Sequence, residues 1–526
     1  MTPRVLLTDN LSILARQTFE QRGIEVTVTP KMDEAELIHS IPDFDGLVLR
    51  SSTQVTAKAL DAANRLKVVG RAGIGIDNID LAACTARGIV VMNTPHGNAV
   101  TTAEHAIALI FAAARNIPQA SASTHAGKWE KTRFTGMELS GKTLGLIGAG
   151  KIGSIVAQKA LALGLKVMAY DPFLSPERAR SLGIVKSELH ALLANADIVT
   201  LHVPKTPQTE EIIDASALNY MKQGAILINC ARGGLVDELA LKVALESGHL
   251  RAAALDVFAE EPATENLLFG LENLICTPHL GASTSEAQEK VAQQIAEQMS
   301  DYLLEGAIQQ ALNAPSLTAE EGRKLAPYLK LAEQLGSFAG QLTKETLHEV
   351  QIEYAGAAAA LNTKPLTNTL LASLLRPQLS QVNMVNAGEI AKMRGIEVKI
   401  TTSEAAPAHF STLVSLNLKS ETRSRGLKGT LFGDSPRLVE IKGITLESRL
   451  GPHMIYLTNQ DQPGSIGAIG QHLADAGINI AKFYFGRVAP GGDAIALLEI
   501  DSAADAQVLS KLRALPSVQA ATYLAF

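Results

Sequence analysis

The stretch TLGLIGAGKIGSIVAQKALALGLKVMAYDP, residues 143–172, has the pattern of a strand, a glycine-rich turn, a helix and a second strand. Gly148 permits the tight turn, Gly150 lets the backbone approach a pyrophosphate, and Gly153 lets the helix pack closely on the strand. The start of the helix offers free N–H groups to phosphate oxygens. Asp171 lies 18 positions beyond Gly153, at the end of the second strand, where its carboxylate can accept both ribose hydroxyls and repels a 2′-phosphate. This passage therefore predicts a Rossmann-type unit that binds NAD in preference to NADP.

Short apolar runs alternate with longer helical patterns along residues 1–310. Near-continuous apolar strands separated by helices are typical of parallel sheets with both faces covered. We therefore expect two such sheets, one in residues 1–94 and one in residues 142–280. The helix TTAEHAIALIFAAARN, residues 101–116, is apolar all round and is expected to be buried. The helical stretch after residue 284 has no strand behind it, so we expect it to return and pack on the first unit.

The pattern changes after the AlaProSer sequence at 314–316 and again after the GlyPro pair at 451–452. The part between these breaks is interpreted as a third α/β domain. The last part follows the order strand, helix, strand, strand, helix, strand, which is that of a ferredoxin-like unit. The predicted fold class is α/β, with two Rossmann-like, doubly wound parallel-sheet domains, an intervening α/β domain and a C-terminal ferredoxin-like domain.

The composition excludes several classes of function. Of the 526 residues, 46% are hydrophobic and 19% are charged, and a formal net charge of −6 favours no nucleic-acid partner. No apolar stretch is long enough to span a membrane, and the sequence MTPRVLLTDN does not resemble a signal peptide. Cys84, Cys230 and Cys276 are expected to be buried, reduced thiols, and no Cys/His spacing fits a metal site. The expected location is cytoplasmic.

Three side chains at successive strand ends suit the oxidation of an alcohol. His279, in TPHLGAST, is a candidate base because an imidazole titrates near neutrality. Glu260 or Glu261, in DVFAEEP, can orient that imidazole, and the spacing does not choose between them. Arg232, in NCARGG, can hold a carboxylate by two bonds, and the glycines after it are expected to admit a ligand. Together with the dinucleotide loop, these residues predict a dehydrogenase.

In this order, GAGKIG, NCARGG, DVFAEEP and TPHLGAST resemble the motifs of the D-isomer-specific 2-hydroxyacid dehydrogenases. The C-terminal extension resembles that of the long members of this family, which have an intervening domain and an ACT domain. The resemblance implies that Arg232 binds the substrate carboxylate, that Glu261 supports the histidine and that His279 accepts the proton. It also implies NAD-dependent oxidation of 3-phospho-D-glycerate to 3-phosphooxypyruvate, the first step of L-serine biosynthesis.

The resemblance also implies a domain organisation. Residues 1–96 and 286–313 are expected to form the substrate-binding domain, and 97–285 the NAD-binding domain. Residues 314–450 are expected to form the intervening domain, similar to an allosteric substrate-binding domain, and 451–526 the ACT domain. The chain is expected to form a homo-oligomer, either a dimer or a tetramer.

Further site residues are implied by the same resemblance. Substrate contacts are expected from Arg50, Arg71, Gly73 and Asn98. Two positions depart from the common pattern of the family: Ile74 replaces a threonine, and Lys151 replaces an arginine. The expected cofactor-binding residues are Gly148, Gly150, Lys151, Ile152, Gly153, Asp171, Val203, Pro204, Cys230, Ala231, Arg232, Asp256, His279, Gly281, Ala282 and Ile74.

The C-terminal unit is expected to act as a sensor. Its loop NQDQPGSIG resembles an ACT ligand loop, and the family's effector is L-serine. Asn459 and Asp461 are the expected contacts on this loop, and Asn479 the contact from a partner subunit. The alternative is a dimerisation module without a ligand. The basic run ETRSRGLKG, residues 421–429, is interpreted as a solvated loop, with a second anion site as the alternative.

Two regions are predicted with alternatives left open. The segment WEKTRFTGMEL, residues 129–139, resembles a dimer arm, from which Lys131 or Arg133 would reach the partner's active site; the alternative is a solvated surface charge. For the whole chain, the alternatives are a glyoxylate or hydroxypyruvate reductase and a nucleotide-sensing co-repressor with this fold. The complete Arg, Glu and His set argues against the co-repressor.

Overall fold

The structure is a computed structural model, and it describes residues 2–95, 97–317, 319–379, 381–405 and 409–526. Four sheets with helices packed on them make up these residues, two of them wholly parallel, one mixed and one antiparallel. The α/β class with two Rossmann-like sheets, predicted from the sequence, is confirmed.

The first sheet has five parallel strands. They are β1 (Arg4–Leu7), β2 (Glu25–Val28), β3 (Gly46–Leu49), β4 (Val68–Arg71) and β5 (Val90–Asn93). Their order is β2-β1-β3-β4-β5. The helices between them begin at side chains that accept a helical N–H, namely Ser12, Asp33, Thr56 and Asp80. These helices are α1 (Ile13–Gln21), α2 (Glu34–Ser40), α3 (Ala57–Asp61) and α4 (Leu81–Ala86).

The second sheet has seven parallel strands with helices on both faces. Its helices are α5 (Ala99–Arg115), α6 (Ile117–His125), α7 (Lys151–Ala162), α8 (Pro176–Leu182), α9 (Leu189–Asn195), α10 (Ala215–Tyr220) and α11 (Glu238–Glu246). Its strands are β6 (Thr143–Ile147), β7 (Lys166–Tyr170), β8 (Val185–Lys186), β9 (Ile198–Leu201), β10 (Ala225–Asn229), β11 (Leu250–Leu255) and β12 (Leu274–Cys276). The strands lie in the order β12-β11-β10-β9-β6-β7-β8. From β6 the chain builds the sheet first on one side, with β7 and β8, and then on the other, with β9 to β12. A doubly wound sheet binds its ligand at this switch point.

Helix α5 is buried on one face only. Ala103, Ala106 and Ile110 lie in the core of the second sheet, whereas Val100 is 50% exposed and Phe111 37% exposed. The expectation that residues 101–116 are buried therefore holds on one face only, because Glu104, Ala108, Phe111 and Arg115 are exposed. These positions recur every three or four residues, so Glu104 and Arg115 mark the exposed side.

Helix α12 (Ser285–Glu305) returns to the first sheet, as predicted. It packs on α1 and β4, and it places Met299 and Ile295 against the sheet. Gly70 in β4 is what allows this approach, because a Cβ at that position would overlap with the sulfur of Met299.

The third sheet is mixed, in the order β14-β13-β15-β16-β17-β18, with only the β13–β14 pair parallel. Its strands are β13 (Leu347–Gly356), β14 (Glu397–Ser403), β15 (Thr412–Ser420), β16 (Ser424–Phe432), β17 (Ser435–Ile441) and β18 (Ile444–Ser448). The helices of this part are α13 (Ala319–Leu342), α14 (Thr363–Leu375) and α15 (Ala387–Met393), with a short 3-10 helix at Ala357–Ala360. Another short 3-10 helix, Ile41–Asp43, lies in the first part of the chain, between α2 and β3. Because β16 covers residues 424–429, the interpretation of this basic run as a solvated loop is wrong.

The fourth sheet is antiparallel, in the order β20-β21-β19-β22. The elements are β19 (His453–Gln460), α16 (Ser465–Asp475), β20 (Ile480–Arg487), β21 (Asp493–Ile500), α17 (Ala506–Arg513) and β22 (Val518–Ala525). Both helices cover one face of this sheet, and α13 covers the other. Phe338 of α13 is fully buried there, with its ring 5.7 Å from that of Tyr456 and 6.5 Å from that of Phe526.

Other structural predictions concern membranes and thiols. Within the described ranges, no helix combines the length and the apolar character needed to cross a membrane. Cys84 and Cys230 are buried free thiols, as expected, whereas Cys276, the last residue of β12, is exposed, so the expectation of a buried thiol is wrong at that position. The described residues include no cluster of three or more His, Cys, Asp or Glu that could hold a metal ion.

The position of Phe338 predicts a shared loss of stability in the third and fourth sheets. Phe338→Ala is expected to lower the local free energy of unfolding of both by about 3–5 kcal/mol, because it leaves a cavity between them. Hydrogen exchange measured by mass spectrometry on peptides from β16 and β19 reports this change. Phe432→Ala, at a half-exposed ring, is the control and should cost less than about 1 kcal/mol. Equal losses in the two variants would contradict the prediction.

Candidate active site

The glycine-rich loop between β6 and α7 has one open side. Gly148 has a φ of 95°, and a Cβ there would lie 2.5 Å from the carbonyl oxygen of His202. A Cβ on Gly153 would overlap with the carbonyl oxygen of Gly148. A Cβ on Gly150, in contrast, would meet no atom within 4 Å. The loop is therefore packed against protein at two glycines and open at the third, where the start of α7 exposes its N–H groups.

Asp171 is held beside this loop by two backbone groups. Its Oδ2 accepts the Ala149 N–H at 2.9 Å, and its Oδ1 accepts the Phe173 N–H at 2.8 Å. Each oxygen keeps a further lone pair for a ribose hydroxyl. The orientation of the carboxylate is thus fixed by the chain itself, as the residues of a dinucleotide site require.

The remaining expected cofactor residues lie at the same edge of the second sheet. Those in the glycine-rich region are in the first turn of α7, and the others follow β9, β10, β11 or β12. Ile74 belongs to the first unit, and its carbonyl oxygen accepts an N–H of the Asn93 side chain at 2.6 Å. By position these residues are Lys151 and Ile152 in α7, Val203 and Pro204 after β9, Cys230 and Ala231 after β10, Asp256 after β11, and Gly281 and Ala282 after β12.

Asp256 fixes the loop that carries the candidate base. Its side chain is 1% exposed, and it accepts bonds from the Thr277 hydroxyl at 2.6 Å and from the N–H groups of Leu280 and Gly281 at 2.7 and 2.8 Å. Burial alone would raise the pKa of Asp256, but these bonds and the neighbouring His105 hold it below its usual value. The sequence did not indicate this positioning role.

His279 and Glu261 form a close pair. The imidazole Nδ1 lies 2.6 Å from the Glu261 Oε2, and the Glu261 Oε1 accepts the Phe258 N–H at 3.0 Å. Burial raises the pKa of Glu261, but the bonds from His279 and Phe258 outweigh it and keep the pKa below its ordinary value. The carboxylate that the sequence left open between residues 260 and 261 is therefore that of Glu261. Because Nδ1 faces this carboxylate, Nε2 is the nitrogen available to a substrate.

Arg232 is positioned by its own turn. The Asn229 side chain donates to the Arg232 carbonyl at 2.9 Å and accepts the Ala231 N–H at 3.0 Å. A Cβ on Gly233 would overlap with the carbonyl oxygen of Phe258. The arginine loop is therefore packed directly against the loop that carries Glu261.

This packing corrects one expectation about the NCARGG motif. The space beside Gly233 is filled by backbone, and the space beside Gly234 is filled by the Lys205 side chain. The two glycines thus make room for the protein rather than for a ligand. Asn229, which the sequence analysis did not single out, has the more direct effect on Arg232.

The guanidinium of Arg232 reaches the first unit. Its Nε donates to Asp77 Oδ2 at 3.1 Å, and its Nη1 donates to the Ala231 carbonyl at 2.7 Å. Nη2 lies where a Cβ of Gly75 would be. The edges of the two parallel sheets therefore face each other across this contact.

A second arginine close to Arg232 makes the region strongly basic. Burial and then the charge of Arg232 lower the pKa of Arg71 to about 10, with a further contribution from Arg50. The buried Nε of Arg71 and the buried Oδ1 of Asn98 have no hydrogen-bond partner among the described residues. A cluster of guanidinium groups with an unpaired buried N–H suits an anionic ligand.

The loops of this cluster are fixed by polar side chains that the sequence analysis missed. The Asp9 carboxylate accepts the N–H groups of Arg50, Ser52 and Thr53 at 2.9 to 3.1 Å. The Asn78 side chain donates to the Arg50 and Thr53 carbonyl oxygens at 2.8 and 2.6 Å. Gly73 is required beside Arg71, because a Cβ there would overlap with the Arg71 Nη1. The sequence feature that could have indicated this role of Asp9 is its position just after β1, at the carboxyl end of a parallel strand.

The expected effector residues are only partly together. Asn459 is the penultimate residue of β19 and is buried, and Asp461 directly follows the strand, with its Oδ2 accepting a bond from Arg487 at 2.6 Å. Asn479 is exposed and donates to Asp501 at 2.7 Å. Asp461 thus already has a cationic partner within the chain.

The expected dimer arm lies on the surface of the second unit. Trp129 is 88% exposed, and Arg133 is bonded to Glu272 and Glu130 of the same chain. Lys131 is exposed. Both partners of Arg133, Glu130 and Glu272, lie outside the set of expected site residues of its own chain.

Comparison with known proteins supplies the class of the molecule. Residues 107–281 match the family model described as "D-isomer specific 2-hydroxyacid dehydrogenase, NAD binding domain", and residues 324–442 match the "D-3-phosphoglycerate dehydrogenase intervening domain". The D-3-phosphoglycerate dehydrogenase of Methanocaldococcus jannaschii is 40% identical over 518 residues, which cover 98% of this chain and 98% of the relative.

Two solved structures resemble part of the fold. The TT0316 protein from Thermus thermophilus is 36% identical, with a TM-score of 0.55, and the match covers 59% of this chain and 99% of that one. The D-lactate dehydrogenase of Aquifex aeolicus, solved in complex with NAD and lactic acid, is 26% identical, with a TM-score of 0.53, and the match covers 59% of this chain and 100% of that one.

The fold and the glycine-rich loop, together with the matched NAD-binding family, define an NAD-dependent dehydrogenase with two Rossmann-like domains. The relative from M. jannaschii matches nearly the full length, including the third and fourth sheets. The chain belongs to the D-3-phosphoglycerate dehydrogenases, within the D-isomer-specific 2-hydroxyacid dehydrogenase family.

The contact between Arg232 and Gly75 predicts the effect of adding one methyl group. Gly75→Ala is expected to push the guanidinium aside and to lower kcat/KM by on the order of 10²-fold, because small displacements of a positioning group have effects of this size. Steady-state kinetics with NAD and the 2-hydroxy acid substrate measure this loss. Gly388→Ala, where a Cβ meets no atom within 4 Å, is the control and should leave kcat/KM unchanged. Full activity of the Gly75 variant would refute the placement of Arg232.

Proposed function

We propose that this enzyme oxidises 3-phospho-D-glycerate to 3-phosphooxypyruvate with NAD, as the first step of L-serine biosynthesis. The observation that carries the proposal is the arginine cluster, in which Arg71 keeps an unpaired buried N–H beside Arg232. A substrate with a carboxylate at one end and a phosphate at the other needs two such cationic contacts. The relative from M. jannaschii has the name of this activity.

In the proposed mechanism, each residue of the site has one task. The glycine-rich loop and Asp171 would hold NAD, which would supply a hydride acceptor for the hydroxyl-bearing carbon of the substrate. His279 takes the hydroxyl proton at Nε2, and Glu261 stabilises the resulting imidazolium through Nδ1. Arg232 holds the carboxylate next to the reacting carbon. Arg50 and Arg71 bind the phosphate, and Gly73 and Asn98 lie beside them as further substrate contacts.

The alternative of a glyoxylate or hydroxypyruvate reductase is less well supported. Neither of those substrates has a phosphate, so Arg50 and Arg71 would have no second anionic group of the substrate to bind. The full-length match to a D-3-phosphoglycerate dehydrogenase also includes the C-terminal units. An assay that follows absorbance at 340 nm with NAD and 3-phosphoglycerate tests the proposal. Turnover with glyoxylate but not with 3-phosphoglycerate would support the alternative, and cofactor binding without any turnover would contradict both.

The proposal extends to assembly and regulation. We propose four domains: residues 1–96 with 286–313, 97–285, 314–450 and 451–526. We propose a cytoplasmic location. We also propose that the chain forms a homo-oligomer through the exposed apolar side chains of Phe111, Ile117 and Trp129. We also propose L-serine feedback through the fourth sheet, with Asn459, Asp461 and Asn479 as contacts. The Arg487–Asp461 pair would have to open for the ammonium group of serine to bind Asp461. Size measurement in solution and serine titration of the rate test these points.

Removal of the imidazole tests the proposed base. His279→Ala is expected to lower kcat by about 10²–10⁴-fold, the usual contribution of a positioned general base. NADH binding, followed by fluorescence titration, should stay within about threefold, because the glycine-rich loop and the Asp171 carboxylate are unchanged in this variant. Comparable turnover in the variant would end the assignment.

The charge of Asp171 predicts the cofactor preference. Asp171→Arg is expected to raise the ratio of kcat/KM with NADP to that with NAD by at least about tenfold, because a cation replaces a carboxylate beside the 2′-position. Asp171→Asn keeps an oxygen for the Ala149 N–H and is the matched control for loop geometry. An unchanged ratio in the arginine variant would mean that another group excludes NADP.

A further inference from the structure

We propose that Asp77 is a displaceable counter-ion. Its carboxylate accepts the Nε–H of Arg232 until the substrate carboxylate binds there in its place. This inference rests on the proposed function, because it takes Arg232 as the site of the substrate carboxylate. Asp77 would then be a positioning residue that acts through Arg232 and limits the affinity of the enzyme for its anionic substrate.

The hydrogen bonds of Arg232 leave one edge for a carboxylate. Nη1 donates one of its two N–H groups to the Ala231 carbonyl at 2.7 Å, so the edge formed by Nε and Nη2 is the one that no backbone group of the Arg232 loop holds. Asp77 accepts the Nε–H at 3.1 Å. A substrate carboxylate can therefore bind this edge by two bonds only if Asp77 releases Nε.

Exposure makes this release feasible. The side chain of Asp77 is 72% exposed and that of Arg232 is 27% exposed, and ion pairs with such exposure contribute little to stability. The backbone around Asp77 is fixed, since Asn93 binds the Ile74 carbonyl and Asn78 binds the carbonyl oxygens of the neighbouring loop. The carboxylate can therefore rotate away while the loop stays in place.

The surrounding charges explain why a counter-ion is present. Arg50, Arg71 and Arg232 bring three positive charges together, and Asp77 and Asp9 are the carboxylates that offset them at Arg71. Asp9 is engaged by the N–H groups of residues 50, 52 and 53 and by the Thr53 hydroxyl. Asp77 is bonded to Arg232 and is far more exposed than Asp9, so it is the carboxylate that can give way.

The test is Asp77→Asn, which keeps an oxygen that accepts the Nε–H but removes the charge. The KM for 3-phosphoglycerate is expected to fall about three- to fivefold, at the upper end of the range for exposed ion pairs, with kcat within about twofold. Binding of 3-phosphoglycerate to the enzyme saturated with NADH, followed by the fluorescence of NADH, should tighten by the same factor. A merely structural role of Asp77 would raise KM or lower kcat instead.

Glu260→Gln is the matched control. It removes one exposed carboxylate from the loop beside Glu261, and both the KM and the NADH-bound affinity should stay within about 1.5-fold. An unchanged or raised KM in the Asp77 variant overturns the inference, and so does an equal fall in the Glu260 variant, which would indicate a general charge effect. If the unmodified enzyme does not oxidise 3-phosphoglycerate, the proposed function fails; if it does and Asp77→Asn does not tighten binding, only this inference fails.

Discussion

The parallel direction of the strands in the second sheet is the constraint on which the active site depends. Because all seven strands run the same way, their carboxyl ends meet at one edge, and Gly148, Asp171, Arg232, Asp256 and His279 each follow one of those ends. Residues far apart in the chain thus come together without any need for long loops. An antiparallel pair in the middle of this sheet would send half of them to the opposite edge.

Charge balance determines how the two parallel sheets meet. The first sheet contributes Arg50 and Arg71 and the second contributes Arg232, so the facing edges would repel each other if no carboxylate lay between them. Asp77 supplies a negative charge at this point, across the contact between the two units. The basic character of the site and the contact between the two sheets therefore involve the same guanidinium groups.

The sequence predicted the parts of this structure that follow from local pattern. The glycine-rich loop, the return of α12 and the two parallel sheets each have a periodicity or a fixed spacing that can be read from neighbouring residues. The contact of Asp77 with Arg232 joins residues 155 positions apart, and no local pattern encodes such a pair. The same holds for Asp256, whose bonds to the loop of His279 depend on how β11 and β12 pair.

Two wrong expectations have physical reasons of the same kind. In helix α5, Val100 and Phe111 lie on the same side as Glu104 and Arg115, so the spacing of these two charged residues, and not the apolar content, marked the exposed side. The basic run at 421–429 was interpreted by its charge, but charged side chains can point outward from a strand while Leu427 between them is buried, as it is in β16. The charge of a segment indicates that its side chains are exposed, but it does not indicate whether its backbone forms a loop or a strand.

The third unit is attached to the first sheet beside α4, the helix that follows the loop of residues 71–78. The loop of residues 71–78 leads into α4, and the turn after α4 is bound by two side chains of the third unit: Asn386 donates to the Ala86 carbonyl at 3.2 Å, and Asn383 donates to the Gly88 carbonyl at 2.9 Å. Gly88 makes this possible, since a Cβ there would overlap with the Asn383 side chain. Any shift of α4 along its axis must break these bonds. The loop that carries Arg71 and Asp77 is therefore braced at one end by the polar side chains of its own unit and at the other by the intervening part of the chain.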